Sequence, residues 1–204
     1  MLSIVATPIG NLEDISLRAL RVLKEAEVII AEDTRHTGVL LKHFAIPHKP
    51  MTALYDENEN SEFLRLVALA QDDTKVVLVS DAGTPLISDP GYKLVRAAIA
   101  AGVKIDFIPG PSAVTAALVL SGLPPDKFTF WGFRTPKDKA SGTNIYFVSP
   151  YKLLKFLDFL EVDQEVVVAR ELTKIYQEIW RGSAQEAKIK FAKPKGEFVV
   201  LFNV

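Results

Sequence analysis

Lys75-Val76-Val77-Leu78-Val79-Ser80-Asp81-Ala82-Gly83-Thr84-Pro85 is the stretch on which the fold turns. A short, unbroken apolar run rich in valine reads as a strand covered on both faces, as in a parallel sheet, and the Asp, Gly and Pro after it end it abruptly. The chain continues as Leu86-Ile87-Ser88-Asp89-Pro90-Gly91, a second Asp-bearing turn before helical spacing resumes. Two such turns in one strand-to-helix crossing exceed what chain reversal requires, so the crossing reads as a ligand site rather than a structural loop.

The same grammar extends to both sides. Leu2 to Ala6, Val28 to Ala31, Lys75 to Ser80 and Val103 to Ile108 are predicted strands. Between them Leu17, Leu20 and Leu23 recur at helical spacing after a Ser16 cap, and Phe63, Leu66, Val67 and Ala70 do the same. Alternating strands and helices predict βα units on a mainly parallel sheet, with the Gly- and Pro-bearing turns at the strands' C-terminal ends, where open α/β sheets hold ligands. Ser121-Gly122-Leu123-Pro124-Pro125-Asp126 interrupts the pattern and predicts a hinge between domains 1–122 and 123–204. Beyond it, strands are predicted over Phe128 to Phe133, Thr143 to Val148, Glu165 to Ala169 and Glu197 to Phe202, with helices over Tyr151 to Leu160 and Ala184 to Lys190. This is the pattern of a smaller α/β domain with a mixed sheet. Arg134 to Gly142, with Arg134, Lys137 and Lys139, reads as an exposed, mobile basic connection.

Bulk composition narrows the function. With 204 residues, 49% of them apolar, the chain suffices for one large or two small domains. Its formal net charge of -1 removes any global basic field, so a nucleic-acid contact has to be local. The absence of cysteine excludes disulfides, thiolate nucleophiles and thiolate metal sites. No secretory signal or membrane-spanning run is visible, which places the expected site of action in the cytoplasm. His36, His43 and His48 lack metal-ligand spacing, and no metal is expected. Trp131 and Trp180 read as core or interface residues.

Four turns carry the candidate chemistry. Val5-Ala6-Thr7-Pro8-Ile9-Gly10-Asn11-Leu12 either lets a ligand approach the backbone closely or is an ordinary βα turn; it contains neither GxGxxG nor a phosphate-binding GxxxxGK[ST] loop. Glu32-Asp33-Thr34-Arg35 can grip a polar substrate, or can be a helix cap with its ion pair. Ser80 to Gly91 is the third turn. Pro109-Gly110-Pro111-Ser112-Ala113 is the fourth, where Ser112 can cap a helix or bond a ligand.

Together with Ile87-Ser88-Asp89-Pro90-Gly91-Tyr92, and with Ala169-Arg170-Glu171-Leu172-Thr173-Lys174, Arg181-Gly182 and Lys195-Gly196-Glu197 downstream, these four segments resemble the signatures of the ribosomal RNA small subunit methyltransferase I family. The match runs nearly end to end. It implies the two-domain tetrapyrrole-methylase-like α/β fold of class III methyltransferases, with S-adenosyl-L-methionine (SAM) folded in a cleft between the domains. It also implies 2'-O-methylation of a cytidine ribose in 16S ribosomal RNA of the small subunit, and a homodimer. Carried over by resemblance, Pro8, Ile9, Asp81, Thr84, Ser112 and Ala113, with Ala169, Lys195, Gly196 and Glu197, are the expected cofactor residues. Glu32, Asp33, Arg35, Arg170 and Lys174 are the expected catalytic and substrate-positioning set.

The chain departs from the family at two places. Where the family commonly reads Tyr-Glu-Ser-Pro-His-Arg, it has Phe147-Val148-Ser149-Pro150-Tyr151-Lys152, losing a carboxylate and an imidazole. Its connection from Arg134 to Thr143 is also shorter, by roughly one helix. Two rival readings stand beside the RNA methyltransferase: a tetrapyrrole-precursor C-methyltransferase on the same fold, and a noncatalytic RNA-binding assembly factor.

Overall fold

A computed structural model describes residues 1–54, 59–72, 74–137 and 139–204, with the side chains of 59–63 left out. Phe63, part of one predicted helical stripe, has its side chain among those outside the description.

The chain forms two compact units, Met1–Ser112 and Ala113–Val204. In the first, β1 (Leu2–Val5), β2 (Val28–Ala31), β3 (Met51–Ala53), β4 (Val76–Val79) and β5 (Ile105–Ile108) make an all-parallel sheet in the order β3-β2-β4-β1-β5. The helices are α1 (Leu17–Glu25), α2 (Thr34–His43), α3 (Glu59–Gln71) and α4 (Tyr92–Ala100). The apolar run that opened the reading is central. Val77 and Val79 pack with Ala19 and Leu23 of α1 and Leu40 and Leu41 of α2, whereas Val76 and Leu78 pack with Leu66 of α3 and Leu94 of α4. A strand's period of two therefore feeds two separate cores, which is why every residue of β4 had to be apolar. Ser16 caps α1 as expected, accepting from Ala19 N–H. In this sheet the strand that sequence reading missed is β3, three half-buried residues at the edge without an apolar run to announce it, as in the second unit it missed the strand Glu178–Ser183.

The second unit holds α5 (Ala113–Ser121), β6 (Phe128–Phe130), β7 (Thr143–Val148), α6 (Leu153–Leu157), β8 (Glu165–Arg170), β9 (Glu178–Ser183), α7 (Ala184–Lys190) and β10 (Phe198–Asn203). Its sheet runs β6-β7-β10-β8-β9. Only β6 and β7 pair in parallel, so the sheet is mixed. One face carries Tyr146, Val168, Val200 and Phe202 under α6 and α7. Their alternates Ile145, Val167, Val199 and Leu201 are equally buried and turn the other way, toward the side on which α5 packs against β8 and β10. That apolar face is the reason α5 belongs with the second unit. The division consequently falls after Ser112, earlier than the expected one after Gly122.

The Ser121–Asp126 turn is tied down from within this unit. Arg181 donates to the carbonyls of Leu120 and Ser121, Leu123 N–H donates to Ser121 Oγ, and Thr143 Oγ1 donates to Pro124 O. The basic connection is also held in place. Fully buried Asn144 accepts from Trp131 Nε1 and Ala140 N–H and donates to Ala140 O and Gly142 O, all within 3.0 Å. Lys137 and Lys139 lie over the rings of Phe159 and Phe202 at 5.8 and 5.9 Å. The end of this connection, at Ala140 and Gly142, is thus anchored on one amide. Trp131 and Trp180 pack on the core as expected. Asn144→Ala removes four bonds and strands buried partners, so it is expected to cost about 3 kcal/mol or more in denaturant unfolding. A loss below about 1 kcal/mol would mean that the loop is held by something else.

Candidate active site

In the first unit, the loops after β1, β4 and β5 are laced together at the strands' C-terminal ends. Thr7 and Gly83 exchange backbone hydrogen bonds at 2.8 and 3.0 Å, and buried Thr7 donates its hydroxyl to Ser80 O. Gly83 has φ +82°, and a Cβ there would stand 3.1 Å from Ile9 Cγ2, so glycine is needed both for the conformation and for the close approach. Thr84 Oγ1 donates to Pro111 O, joining the third loop to the second. Pro8 and Ile9 are buried beneath this junction, and Ser112 borders it half-buried.

Carboxylates gather where β2 and β4 end. Asp33 N–H donates to Asp81 Oδ1 at 2.9 Å, and Asp81 N–H donates to Glu32 Oε2 at 3.3 Å. His36 Nδ1 lies 3.1 Å from Asp81 Oδ2. Asp33 itself caps α2, accepting from Arg35 N–H, and takes the Arg35 guanidinium. The hydrogen bonds from the Arg35 side chain and N–H hold its carboxyl far below the usual range. Asp33 and Arg35 thus do what the structural reading of that motif allowed: a cap and its ion pair.

Asp89 is the residue that sequence reading passed over. Leu86 and Ser88 both adopt positive φ, 74° and 72°, a strained conformation for side-chain-bearing residues. Gly91 follows at φ +116°, where a Cβ would stand 2.9 Å from Leu86. This contorted loop holds Asp89 so that its Oδ2 is shielded from solvent with no hydrogen-bond partner among the described residues. Burial first, then the charge of Glu32, raise its pKa to about 7; a hydrogen bond from Ser80 opposes them, and Asp81 adds to the rise. The available signal was the second Asp turn of the crossing, which pointed to a ligand without saying which Asp would be left unmatched.

The second unit assembles its own group. Arg170 donates from Nε to Lys195 O and pairs with Glu178, which also takes Lys190 at 2.7 Å. Lys174 Nζ bridges Glu171 at 3.2 Å and Glu197 at 2.9 Å, while Glu197 N–H donates to Glu171 Oε1. Burial pushes the Glu171 carboxyl up, but the Glu197 N–H and Lys174 outweigh it and hold it below its ordinary value. Gly196, at φ +94°, leaves room for Glu171, whose Oε1 would be 2.6 Å from an added Cβ. Arg170, Lys174, Lys195, Gly196 and Glu197 are therefore brought together beside buried Ala169, with Arg170 and Lys174 already engaged by carboxylates. Glu32, Asp33, Arg35 and Asp81 form a separate cluster within the first unit.

A family model described as Tetrapyrrole (Corrin/Porphyrin) Methylases matches residues 1–188. The chain belongs to the tetrapyrrole methylase family. Within it, the chain is 45% identical over 217 residues to the Thermotoga maritima protein named ribosomal RNA small subunit methyltransferase I, covering 99% of this chain and 97% of that one. It is 46% identical over 222 residues to the Vibrio cholerae protein of the same name, covering 100% of this chain and 77% of the relative. Among solved structures, a diphthine synthase superposes with TM-score 0.76 at 19% identity, covering 99% of this chain and 89% of that one. A uroporphyrin-III-C-methyltransferase from Thermus thermophilus superposes with TM-score 0.72 at 21% identity, covering 98% and 93%. At those identities the structures share the tetrapyrrole methylase fold with this chain, and the sequence relatives carry the nearer kinship.

Because the folded-state pKa of Asp89 lies above the unfolded value, the folded protein binds this proton more tightly, and stability falls as pH rises. The loss accrues from about 4, the unfolded value, to about 7, the folded one. Asp89→Asn should therefore melt with the parent at the acid end and above it once the pH passes neutrality. A constant offset across a pH series of melting curves would show that this carboxyl does not titrate as described.

Proposed function

We propose that this protein transfers a methyl group from SAM to the 2'-hydroxyl of a cytidine ribose in 16S ribosomal RNA, acting on the small ribosomal subunit as a homodimer. Identity of 40–46% with relatives named for small-subunit ribosomal RNA methylation supports the substrate class. The observation that carries the chemistry is the unpartnered, shielded Oδ2 of Asp89 beside Glu32 and Asp81.

This cluster fits the cofactor. SAM bears a sulfonium and an ammonium, and an acid-rich strand edge with small-residue turns suits a cationic ligand approached by backbone. Pro8, Ile9, Thr84 and Ser112 would line it in the first unit, and Asp81, braced by Asp33 N–H and His36, would supply negative charge. Ala113, Ala169, Lys195, Gly196 and Glu197 complete the cofactor set carried over by resemblance. When bound, SAM supplies an electrophilic methyl group.

The chain's own residues do the rest. A ribose hydroxyl is a poor nucleophile until its proton has an acceptor, and a carboxylate with pKa near 7 accepts one most effectively at neutral pH. Asp89 takes that proton on Oδ2, and its charge is then relieved rather than added to the charge of Glu32. Asp33 and Arg35 fix the start of α2, so the carboxylates keep their places without reorganising. Arg170 and Lys174 brace their loops through ion pairs and position substrate indirectly.

The test is labelled-methyl transfer from SAM to isolated small subunits, naked 16S ribosomal RNA and tetrapyrrole precursors, with nucleoside analysis of the product. We expect label in 2'-O-methylcytidine; label only in a tetrapyrrole, or none anywhere, would replace this reading by one of its rivals. Asp89→Asn should lower kcat by about a hundredfold or more while leaving SAM affinity nearly unchanged. The parent's rate should climb with pH to a plateau above about 7. A variant with the parent's kcat and pH profile would remove Asp89 from proton transfer.

A further inference from the structure

From Tyr151 to Leu160 the chain runs through a 3-10 turn (Pro150–Lys152) into α6 and a last helical turn, and burial follows a helical period. Leu153, Phe156, Leu157 and Leu160 enter the core of the second unit. The opposite face carries Tyr151, Lys152, Lys155 and Phe159. Tyr151 is 98% exposed, an extreme value for a large ring, and Phe159 is 37% exposed. Lys137, from the anchored basic connection, places its ammonium 5.8 Å from the centre of the Phe159 ring, which adds a third cation to the same face. Asp158, the carboxylate within this stretch, is taken by Lys188 at 2.8 Å. Glu161 and Asp163 lie beyond its end. Lys152 and Lys155 make no ion pair among the described residues, so their charge remains available to a partner.

We propose that this face, Tyr151, Lys152, Lys155 and Phe159 with Lys137, docks a single-stranded segment of RNA, the Tyr151 ring stacking a base while the lysines hold phosphates. The inference rests on the RNA-substrate reading above and names the surface that serves it. Aromatic rings interleaved with cations match an unpaired strand, which presents base faces and phosphates alternately. A protein partner fits less well, since interface cores are depleted in lysine and here lysines flank the exposed ring. Stacking needs only a ring face, so it explains a phenol left almost wholly in water, and phosphate contacts explain why the surrounding cations are not neutralised by this chain. The face also gives a local basic surface to a protein whose net charge is -1.

The experiment measures anisotropy of a labelled single-stranded RNA of about 16 nucleotides, and of the same sequence annealed into a duplex, as salt is varied. Tyr151→Ala should weaken single-strand binding by about tenfold, and Tyr151→Phe, which keeps the ring, should bind as the parent does. Lys152→Gln with Lys155→Gln should lower the salt slope by about 1.4, or about 0.7 per lost phosphate contact. Since both positions are exposed, melting curves should match the parent's. Parent-like affinity and salt slope in these variants would overturn the proposal. So would a Tyr151→Ala variant that changes sedimentation but not RNA affinity, which would assign the face to a second copy of the chain. Methyl transfer is read in parallel: a parent that binds the strand through Tyr151 but methylates no RNA leaves this surface standing and removes the functional reading instead.

Discussion

Two reciprocal hydrogen bonds hold the end of β2 against the end of β4: Asp33 N–H to the Asp81 carboxylate, and Asp81 N–H to the Glu32 carboxylate. Parallel strands stop pairing where the chain leaves for its helix, and the N–H groups just past that point need partners. Here the partners are side chains of the neighbouring strand's exit, so satisfying the backbone draws negative charge to one edge of the sheet. The acidity of the site follows from how the sheet ends, and the pKa of Asp89 is raised first by its burial and then by the charges of Glu32 and Asp81 already in place. Leu86 and Ser88 at positive φ show that the loop bearing Asp89 is held in a conformation its residues disfavour.

The second unit solves a different problem. Its strands end in loops carrying like numbers of cations and carboxylates, and Arg170, Glu178, Lys190, Lys174, Glu171 and Glu197 neutralise one another in pairs that share members. A residue type suited to gripping phosphate is here used to brace two loops, with Gly196 admitting Glu171 between them. Free cations lie elsewhere, on the outer face of the 151–160 stretch, where Lys152 and Lys155 make no ion pair among the described residues and Asp158 is taken by Lys188. Sorting cations by whether they are spent separates structural charge from charge available to a partner, and residue type alone makes no such distinction.

Much of this protein was readable before folding. Largely apolar runs predicted β1, β2 and β4, because a strand covered on both faces is apolar, and Val76 to Val79 feed two cores as that rule requires; β5, at the sheet edge with Asp106 in it, was read from the alternation of strands and helices. The predicted Thr143 to Val148 strand and Ala184 to Lys190 helix coincide with β7 and α7, the helix being fixed at its start by a Ser183–Glu186 capping box. Edge strands β3 and β9 escaped, since a half-covered strand needs no apolar run. The Glu32, Asp33 and Asp81 cluster was legible as turns of the right type at strand ends.

Sequence by itself determined the fold class, the kinship and the edge of the sheet where the carboxylates gather, because these depend on local periodicity and on residue types at strand exits. Only tertiary structure decided which charges are spent and which are free. Arg35 is closed onto Asp33, Arg170 and Lys174 onto the glutamates around them, while Asp89 keeps an unmatched oxygen and Tyr151 stands in solvent. It also decided that α5 belongs with the second unit, since the apolar back of a sheet assembled from strands far along the chain needed cover. Some of these pairs are local, as Arg35 with Asp33 and Lys174 with Glu171, but burial, cover and pairs such as Lys174 with Glu197 join residues from distant positions, and no short window of sequence contains both.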